Sequence, residues 1–144
     1  MKIYIGSDHA GYELKESLKT YLIELEYDIE DKGAFNFDPT DDYPDFVTPV
    51  AHSVAENKDS KGIILGGSGQ GEAMAANRVS GVRAIEYNGG NLSIVKISRE
   101  HNDANVLSLG ARFMTDQEAK DAVRLFLDTP FSHEERHIRR INKF

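Results

Sequence analysis

Short apolar runs alternate along this chain with longer segments in which apolar residues recur at helical spacing. The short runs predict strands at residues 3–6, 27–31, 62–65, 83–87 and 105–109. The longer segments predict helices at residues 12–25, 46–56, 71–78, 91–99 and 115–127, the last with Thr115 as its N-cap. This alternation indicates an α/β fold, a Rossmann-like, doubly wound sheet of five mostly parallel strands with helices on both faces.

In sheets of this kind ligands bind beyond the carboxyl ends of the strands. Three segments are expected at that edge, residues 6–9, 66–72 and 109–112, and they are rich in Gly, Asp, His and Arg. The edge at which a ligand is predicted to bind is therefore also the edge at which potential catalytic and binding residues are expected.

The composition predicts one globular domain over residues 1–144, with 40% hydrophobic and 28% charged residues and a net charge of −7. The acidic balance disfavours a nucleic-acid or membrane surface, although it leaves room for a local cationic site. The lack of cysteine excludes disulfides, zinc ribbons and a thiol base. A cytoplasmic protein is expected, because strand-like sequence begins at once, without a signal peptide, and no apolar stretch approaches the length of a membrane span.

A glycine-rich loop, Gly-Gly-Ser-Gly-Gln-Gly-Glu at residues 66–72, follows the third predicted strand. Its backbone N–H groups can cradle an anion at the mouth of a helix. Dinucleotide and P-loop motifs both fail at Glu72, where they need glycine or lysine. A carboxylate there suits proton transfer beside an oxyanion. The alternative is a tight turn in which Glu72 only favours the helix N-terminus.

Two polar clusters next to predicted strands lie outside this loop. Asp8 and His9 follow the first strand, where the acid either orients the imidazole or caps the next helix. His101 and Asn102 precede the fifth strand, in a segment where a turn is the default and an acid–base pair the alternative. Metal ligation by Asp8, His9 and His101 is disfavoured, since the two histidines of this set do not have helical ligand spacing.

Arginines gather near the carboxyl end of this acidic chain. On a helix, Arg136, Arg139 and Arg140 would share about one face, and arginine forks match phosphate oxygens. A solvated helix end is the alternative. With Arg112 just past the fifth strand, a small phosphate-bearing ligand is the better interpretation.

Several segments together resemble, in collinear order over nearly the whole chain, the type B ribose-5-phosphate isomerase family, which also contains allose- and galactose-6-phosphate isomerases. They are residues 6–11, 42–44, 66–72 with 75–78, 98–106, 110–112 and 136–141. Many members carry a cysteine base at the position of Gly66. A second branch has the Gly-Gly-Ser-Gly-x-Gly-Glu loop and uses the glutamate, so the resemblance assigns the base to Glu72.

The resemblance implies an aldose–ketose isomerase that needs no cofactor or metal. The loop backbone at Gly67, Ser68, Gly69 and Gly71, with the Ser68 hydroxyl, would form the anion hole. The other implied roles are ring opening by Asp8 and His101, sugar contacts by Asn102 and Tyr43, and phosphate binding by His9, Arg112, Arg136 and Arg140. The family implies a homodimer in which the C-terminal arginines complete the neighbour's site, or a tetramer built from it.

Two other functions stay open at this point. A hexose phosphate such as allose or galactose 6-phosphate would undergo the same chemistry in a differently shaped pocket. A catalytically silent sugar-phosphate-binding module would keep the arginines and the glycine loop, but it would have no use for Glu72.

Overall fold

Five strands form one sheet in a computed structural model that describes all 144 residues. Every neighbouring pair of strands runs parallel, in the order β2-β1-β3-β5-β4. The strands are β1 (Lys2–Ser7), β2 (Asp28–Asp31), β3 (Lys61–Gly66), β4 (Ala84–Tyr87) and β5 (Val106–Gly110). The predicted α/β class is confirmed, and the sheet is parallel throughout.

Six helices flank the sheet, five of them at predicted positions. They are α1 (Tyr12–Glu24), α2 (Pro44–Glu56), α3 (Gln70–Ala76), α4 (Ser93–Asn102), α5 (Asp116–Asp128) and α6 (Glu135–Ile141). Helices α1, α4 and α5 cover one face and α2 and α3 the other. Right-handed crossovers require this division, because α1 and α4 connect strands in one direction across the sheet and α2 and α3 in the opposite direction.

The central strands are buried on both faces, so their sequences are almost continuously apolar. In β3, Ile63 and Leu65 pack into the core beneath α1, α4 and α5, whereas Ile64 packs into the core beneath α2 and α3. All three side chains are fully buried. This packing fixes the register of β3 and with it the point at which the glycine loop begins.

A crevice opens where the chain leaves two adjacent strands in opposite directions. From β1 it turns towards β2, and from β3 it turns towards the other edge of the sheet. Such a switch point is where doubly wound sheets bind ligands. Residues 6–9 and 66–72 meet there, and residues 109–112 follow β5 beside β3, as predicted.

The fourth helix is longer than its sequence pattern predicts. It continues past Arg99 to Asn102, and the turn expected around His101 is confined to residues 103–105. The Arg99 guanidinium pairs with the Asp103 carboxylate one turn later, 2.9 Å away, and Asp103 ends the helix in the left-handed conformation with φ of 44°. His101 and Asn102 therefore belong to the last helical turn. None of the helices has the length and apolar character needed to cross a bilayer.

Candidate active site

The glycine loop is anchored to the segment that follows β5. The Ser108 hydroxyl donates to the Gly69 carbonyl at 2.6 Å, and the N–H groups of Ala111 and Arg112 donate to the carbonyls of Gly66 and Gly67 at 2.9 and 3.1 Å. Gly69, the N-cap of α3, has φ of +82°, which side-chain-bearing residues rarely adopt. The carbonyls of Gly66, Gly67 and Gly69 are thus occupied, and these contacts hold the loop in place beside β5.

Glu72 lies in the first turn of α3 with only 4% of its surface exposed, and its carboxylate rests against the backbone of Gly66. A Cβ atom on Gly66 would fall 1.7 Å from Glu72 Oε1. Burial raises the pKa of Glu72, the negative charge of Asp8 adds to the rise, and backbone N–H groups of Glu72 and Gly69 oppose it. A raised pKa makes the Glu72 carboxylate a stronger proton acceptor, and this suits the role of a general base.

Asp8 is buried at the end of β1, but it does not orient His9 as one interpretation predicted. Its Oδ1 accepts the N–H groups of Ala10 and Gly11 at 3.0 and 3.3 Å, so it caps the turn before α1. Its Oδ2 lies 3.9 Å from His9 Nδ1, beyond hydrogen-bond distance. The alternative that Asp8 caps α1 is also wrong, because the N-cap is Gly11 and no side chain caps it; Asp8 closes the turn that precedes the helix.

The acid that holds His9 is Asp41, which the sequence interpretation missed. Asp41 Oδ1 accepts both the backbone N–H of His9, at 2.9 Å, and its ring Nδ1, at 2.7 Å. The two residues are 32 positions apart and meet only because the loop before α2 folds back over β1. The one sequence signal was the run of acids just before Tyr43.

Tyr43 and Arg112 flank the glycine loop from two sides. A Cβ on Gly71 would lie 2.7 Å from the Tyr43 hydroxyl, and one on Gly67 would lie 3.3 Å from Arg112 Nη1. The exposed Arg112 guanidinium has no carboxylate within ion-pair distance, so it is free to bind an anion. A loop cluster thus forms at the carboxyl edge of the sheet, made of Asp8, His9, Tyr43, residues 67–72 and Arg112.

The remaining predicted site residues do not join this cluster. His101 and Asn102 end α4 at the amino edge of the sheet, where Arg83, just before β4, donates to the carbonyls of Asn102 and Asp103 at 3.1 and 2.9 Å. The five residues of β5 separate this edge from the glycine loop by about 16 Å. A helix that leads into a parallel strand must end at the strand's amino end, so one chain cannot bring His101 beside Glu72.

Helix α6 packs on α4 and completes a second cluster at the amino edge. His137 is buried and stacks on His101, with ring centroids 4.2 Å apart and planes 15° from parallel. Arg136 and Arg140 are exposed; the former pairs with Glu134 at 2.8 Å, and the latter has no acidic partner. This helix cluster consists of His101, Asn102, Arg136, His137 and Arg140. Of these, His137 was missed, although it lies between the two arginines.

Burial lowers the pKa of His137, and the neighbouring His101 and Arg136 lower it further. The stack therefore combines a buried imidazole, whose charged form is disfavoured, with a half-exposed one. Its packing ties α6, which carries the arginines, to the end of α4.

The histidines do not assemble into the metal site that the sequence left as an alternative. His101 lies at the opposite edge from Asp8 and His9, so these three cannot share an ion within one chain. Asp8, His9 and Asp41 do bring ligand atoms within 4.8 Å of one another, but the His9 ring nitrogen in that group is hydrogen-bonded to Asp41.

The largest cavity of the single chain, about 580 Å³, lies between α2 and α3 and contains no residue of either cluster. None of the cavities contains Glu72 or Asp8. The loop cluster is therefore an open surface when the chain is taken alone.

Comparison with known proteins decides the family. The model of the Ribose/Galactose Isomerase family matches residues 3–144. The chain belongs to this family. It is 43% identical over 143 residues to ribose-5-phosphate isomerase B of Mycolicibacterium paratuberculosis, covering 99% of this chain and 88% of that protein.

Solved structures of family members have the same fold. A ribose-5-phosphate isomerase B from Mycoplasma genitalium, crystallised with bound ribulose-5-phosphate, is 41% identical with a TM-score of 0.93, over 99% of this chain and 92% of the other. The enzyme from Clostridium thermocellum gives the same identity and TM-score, over 99% and 94%.

Proposed function

We propose that this protein interconverts ribose 5-phosphate and ribulose 5-phosphate through an enediolate intermediate. The observation that carries the proposal is the buried Glu72 carboxylate, which lies against the glycine loop in a chain of the ribose/galactose isomerase family. Several relatives that align with nearly the whole chain are ribose-5-phosphate isomerases B. A non-catalytic binding module would gain nothing from a buried acid at this position.

Glu72 acts as the base in this mechanism. It removes the proton from carbon 2 of the open aldehyde, the carbonyl oxygen takes up the negative charge, and the same carboxyl returns the proton to carbon 1. A hydroxyl proton passes from oxygen 2 to oxygen 1 to complete the ketose. Backbone N–H groups of Gly67, Ser68, Gly69 and Gly71 and the Ser68 hydroxyl stabilise the enediolate. Each such donor typically lowers the activation barrier by a few kcal/mol.

The other predicted residues serve the steps around proton transfer. Asp8 and His101 open the furanose ring, while Tyr43 and Asn102 bind the sugar. The phosphate is held by four cationic side chains, namely His9, Arg112, Arg136 and Arg140. No step of this sequence uses a metal or an organic cofactor.

We infer further that the complete site forms between two subunits of a homodimer. The loop cluster and the helix cluster lie at opposite edges of the sheet, yet the mechanism needs both around one substrate. A two-fold axis that places the helix cluster of one subunit over the loop cluster of the other creates two such sites at once. Exposed Met74, Ile94 and Ile97, on the helices that flank β4, supply apolar surface for the contact.

The substrate class is tested by assaying purified, chelator-treated protein with ribose 5-phosphate and, in parallel, allose 6-phosphate. We expect efficient turnover of the pentose. Turnover of the hexose alone would keep the mechanism and replace the substrate. No turnover of either sugar, together with thermal stabilisation by ribose 5-phosphate, would favour a binding module. The cytoplasmic location remains a prediction of the sequence.

A further inference from the structure

The Asp41 carboxylate forms hydrogen bonds and an ion pair with His9 and with no other residue. The side chain is 9% exposed, and His9 is the only basic side chain within 4 Å of it. Its Oδ1 binds the backbone N–H and the Nδ1 of His9, whereas its Oδ2 is buried without a hydrogen-bond partner. Burying a carboxylate in this way costs free energy, and an adjacent imidazolium offsets that cost.

The contact determines the state of the His9 ring. A carboxylate can only accept, so Nδ1 must carry a proton, and Nε2 is the nitrogen left for a ligand. Besides Asp41, the charged groups that face His9 are Asp8 at the end of β1, Asp38 in the loop before α2, and Arg112 after β5. The hydrogen bond to Asp41 raises the pKa of His9 despite partial desolvation, Asp8 raises it further, and Arg112 lowers it.

We propose that Asp41 is a positioning residue of the phosphate site, which fixes the His9 ring through Nδ1 and keeps it protonated on both nitrogens. Nε2–H then donates to the phosphate as part of a cation and not as a neutral imidazole. Charge-assisted hydrogen bonds of this kind are about twice as strong as neutral ones. The inference rests on the proposed function, because it takes His9 as a phosphate ligand.

The test compares Asp41→Asn with the matched control Asp38→Asn. The first keeps the side-chain shape and an acceptor for the His9 N–H but removes the charge. The second removes a neighbouring charge from a carboxylate that binds Thr40, not His9. The His9 ring is titrated by NMR in the free proteins, and KM and kcat for ribose 5-phosphate are measured between pH 5.5 and 8.5.

We expect Asp41→Asn to lower the pKa of His9 and to raise KM at pH 7.5 by about tenfold, with kcat changed less than about threefold. Near pH 5.5, where His9 is protonated in both proteins, the difference in KM should shrink. Asp38→Asn should change KM less than about twofold. In a His9→Asn background, Asp41→Asn should add no further increase, because it acts through the ring.

An unchanged His9 pKa in folded Asp41→Asn protein would overturn the inference. So would an increase in KM that does not depend on pH or that persists in the His9→Asn background, since either would indicate a merely structural role. If the wild type does not convert ribose 5-phosphate, the proposed function fails, and the NMR titration still decides whether Asp41 controls His9.

Discussion

At the residue scale, Glu72 can lie where it does because residue 66 has no side chain. A Cβ on Gly66 would overlap the Glu72 carboxylate, so a side chain at 66 and this position of Glu72 exclude each other. The same space therefore accommodates one base only. This gives a physical reason why this chain combines glycine at 66 with glutamate at 72.

Glu72→Gln is expected to keep substrate binding and to reduce turnover by about three orders of magnitude or more, since the amide cannot accept the proton. Its stability should also change with pH. Because folding raises the pKa of Glu72, the wild type loses stability as the pH rises from about 4.5 through the folded pKa, and the glutamine variant does not.

Steady-state kinetics and urea unfolding at several pH values measure both effects. Glu86→Gln is the control, because burial also raises the pKa of Glu86 on β4, outside either cluster. It should alter the pH dependence of stability in the same direction and keep full activity. Near-normal turnover in Glu72→Gln would contradict the base assignment.

Gly66→Ala should lower kcat by about tenfold or more, because the added methyl displaces the carboxylate from its place. Gly62→Ala on the same strand is the comparison. There the new methyl would press on Val106 and Val50, about 3.0 Å away, so it should lower stability with little change in kcat. Equal kcat values for the two variants would show that the position of Glu72 does not depend on residue 66.

At the element scale, a buried ion pair between α1 and β2 supports the end of β1. Lys15 is fully buried, and its ammonium binds the Asp31 carboxylate at 2.7 Å and the Ala34 carbonyl at 2.8 Å. The backbone just after β2 is held in this way and pairs with the end of β1. The Ser7 backbone N–H donates to the Gly33 carbonyl at 2.8 Å, and the Ser7 carbonyl accepts from the Ala34 N–H at 2.7 Å. Asp8 follows directly, so this ion pair helps to position the loop cluster.

Asp31→Asn is expected to lower the free energy of unfolding by about 2 kcal/mol, because it removes the closer and more buried of the two carboxylates that bind the Lys15 ammonium. The half-exposed Glu16 carboxylate, 3.1 Å from Lys15 Nζ, remains as its counter-charge. Burial opposes ionisation of Asp31, but Lys15 and Lys19 lower its pKa overall. The loss should therefore be full above about pH 4 and should shrink at lower pH, as wild-type Asp31 is protonated.

Urea unfolding at pH 7 and pH 3 checks this expectation. The matched control is Glu30→Gln, one residue earlier on the same strand, which pairs with Lys2 and Lys32 at the surface and should cost much less. Equal losses for the two variants would contradict a special role for the buried pair.

At the scale of the whole molecule, local patterns were enough to predict the sheet, the glycine loop and the edge on which it lies. Apolar runs predict the strands. The glycines that follow β3 predict a tight turn there, at the carboxyl edge of the sheet. The contact between Asp41 and His9 could not be predicted, because it joins an irregular loop to a strand end across 32 residues.

The separation of His101 from Glu72, unlike the contact between Asp41 and His9, could have been predicted from the sequence. His101 directly precedes a parallel strand and so had to lie at the amino edge, but its segment was interpreted as a turn and grouped with the loop residues by family likeness alone. Once the edges are distinguished, the proposed mechanism, which uses both clusters on one substrate, needs a second subunit to complete the site.

The most direct test of this account is the activity of a mixed dimer. One subunit carries Glu72→Gln and the other Arg136→Ala with Arg140→Ala; each has its own affinity tag, and dimers with both tags are purified after co-expression. In a shared arrangement, one of the two sites combines an intact loop cluster with an intact helix cluster. We expect about half of the wild-type rate of ribose 5-phosphate isomerisation at low substrate concentration, with both parent variants nearly inactive. A mixed dimer no more active than its parents would contradict the shared site.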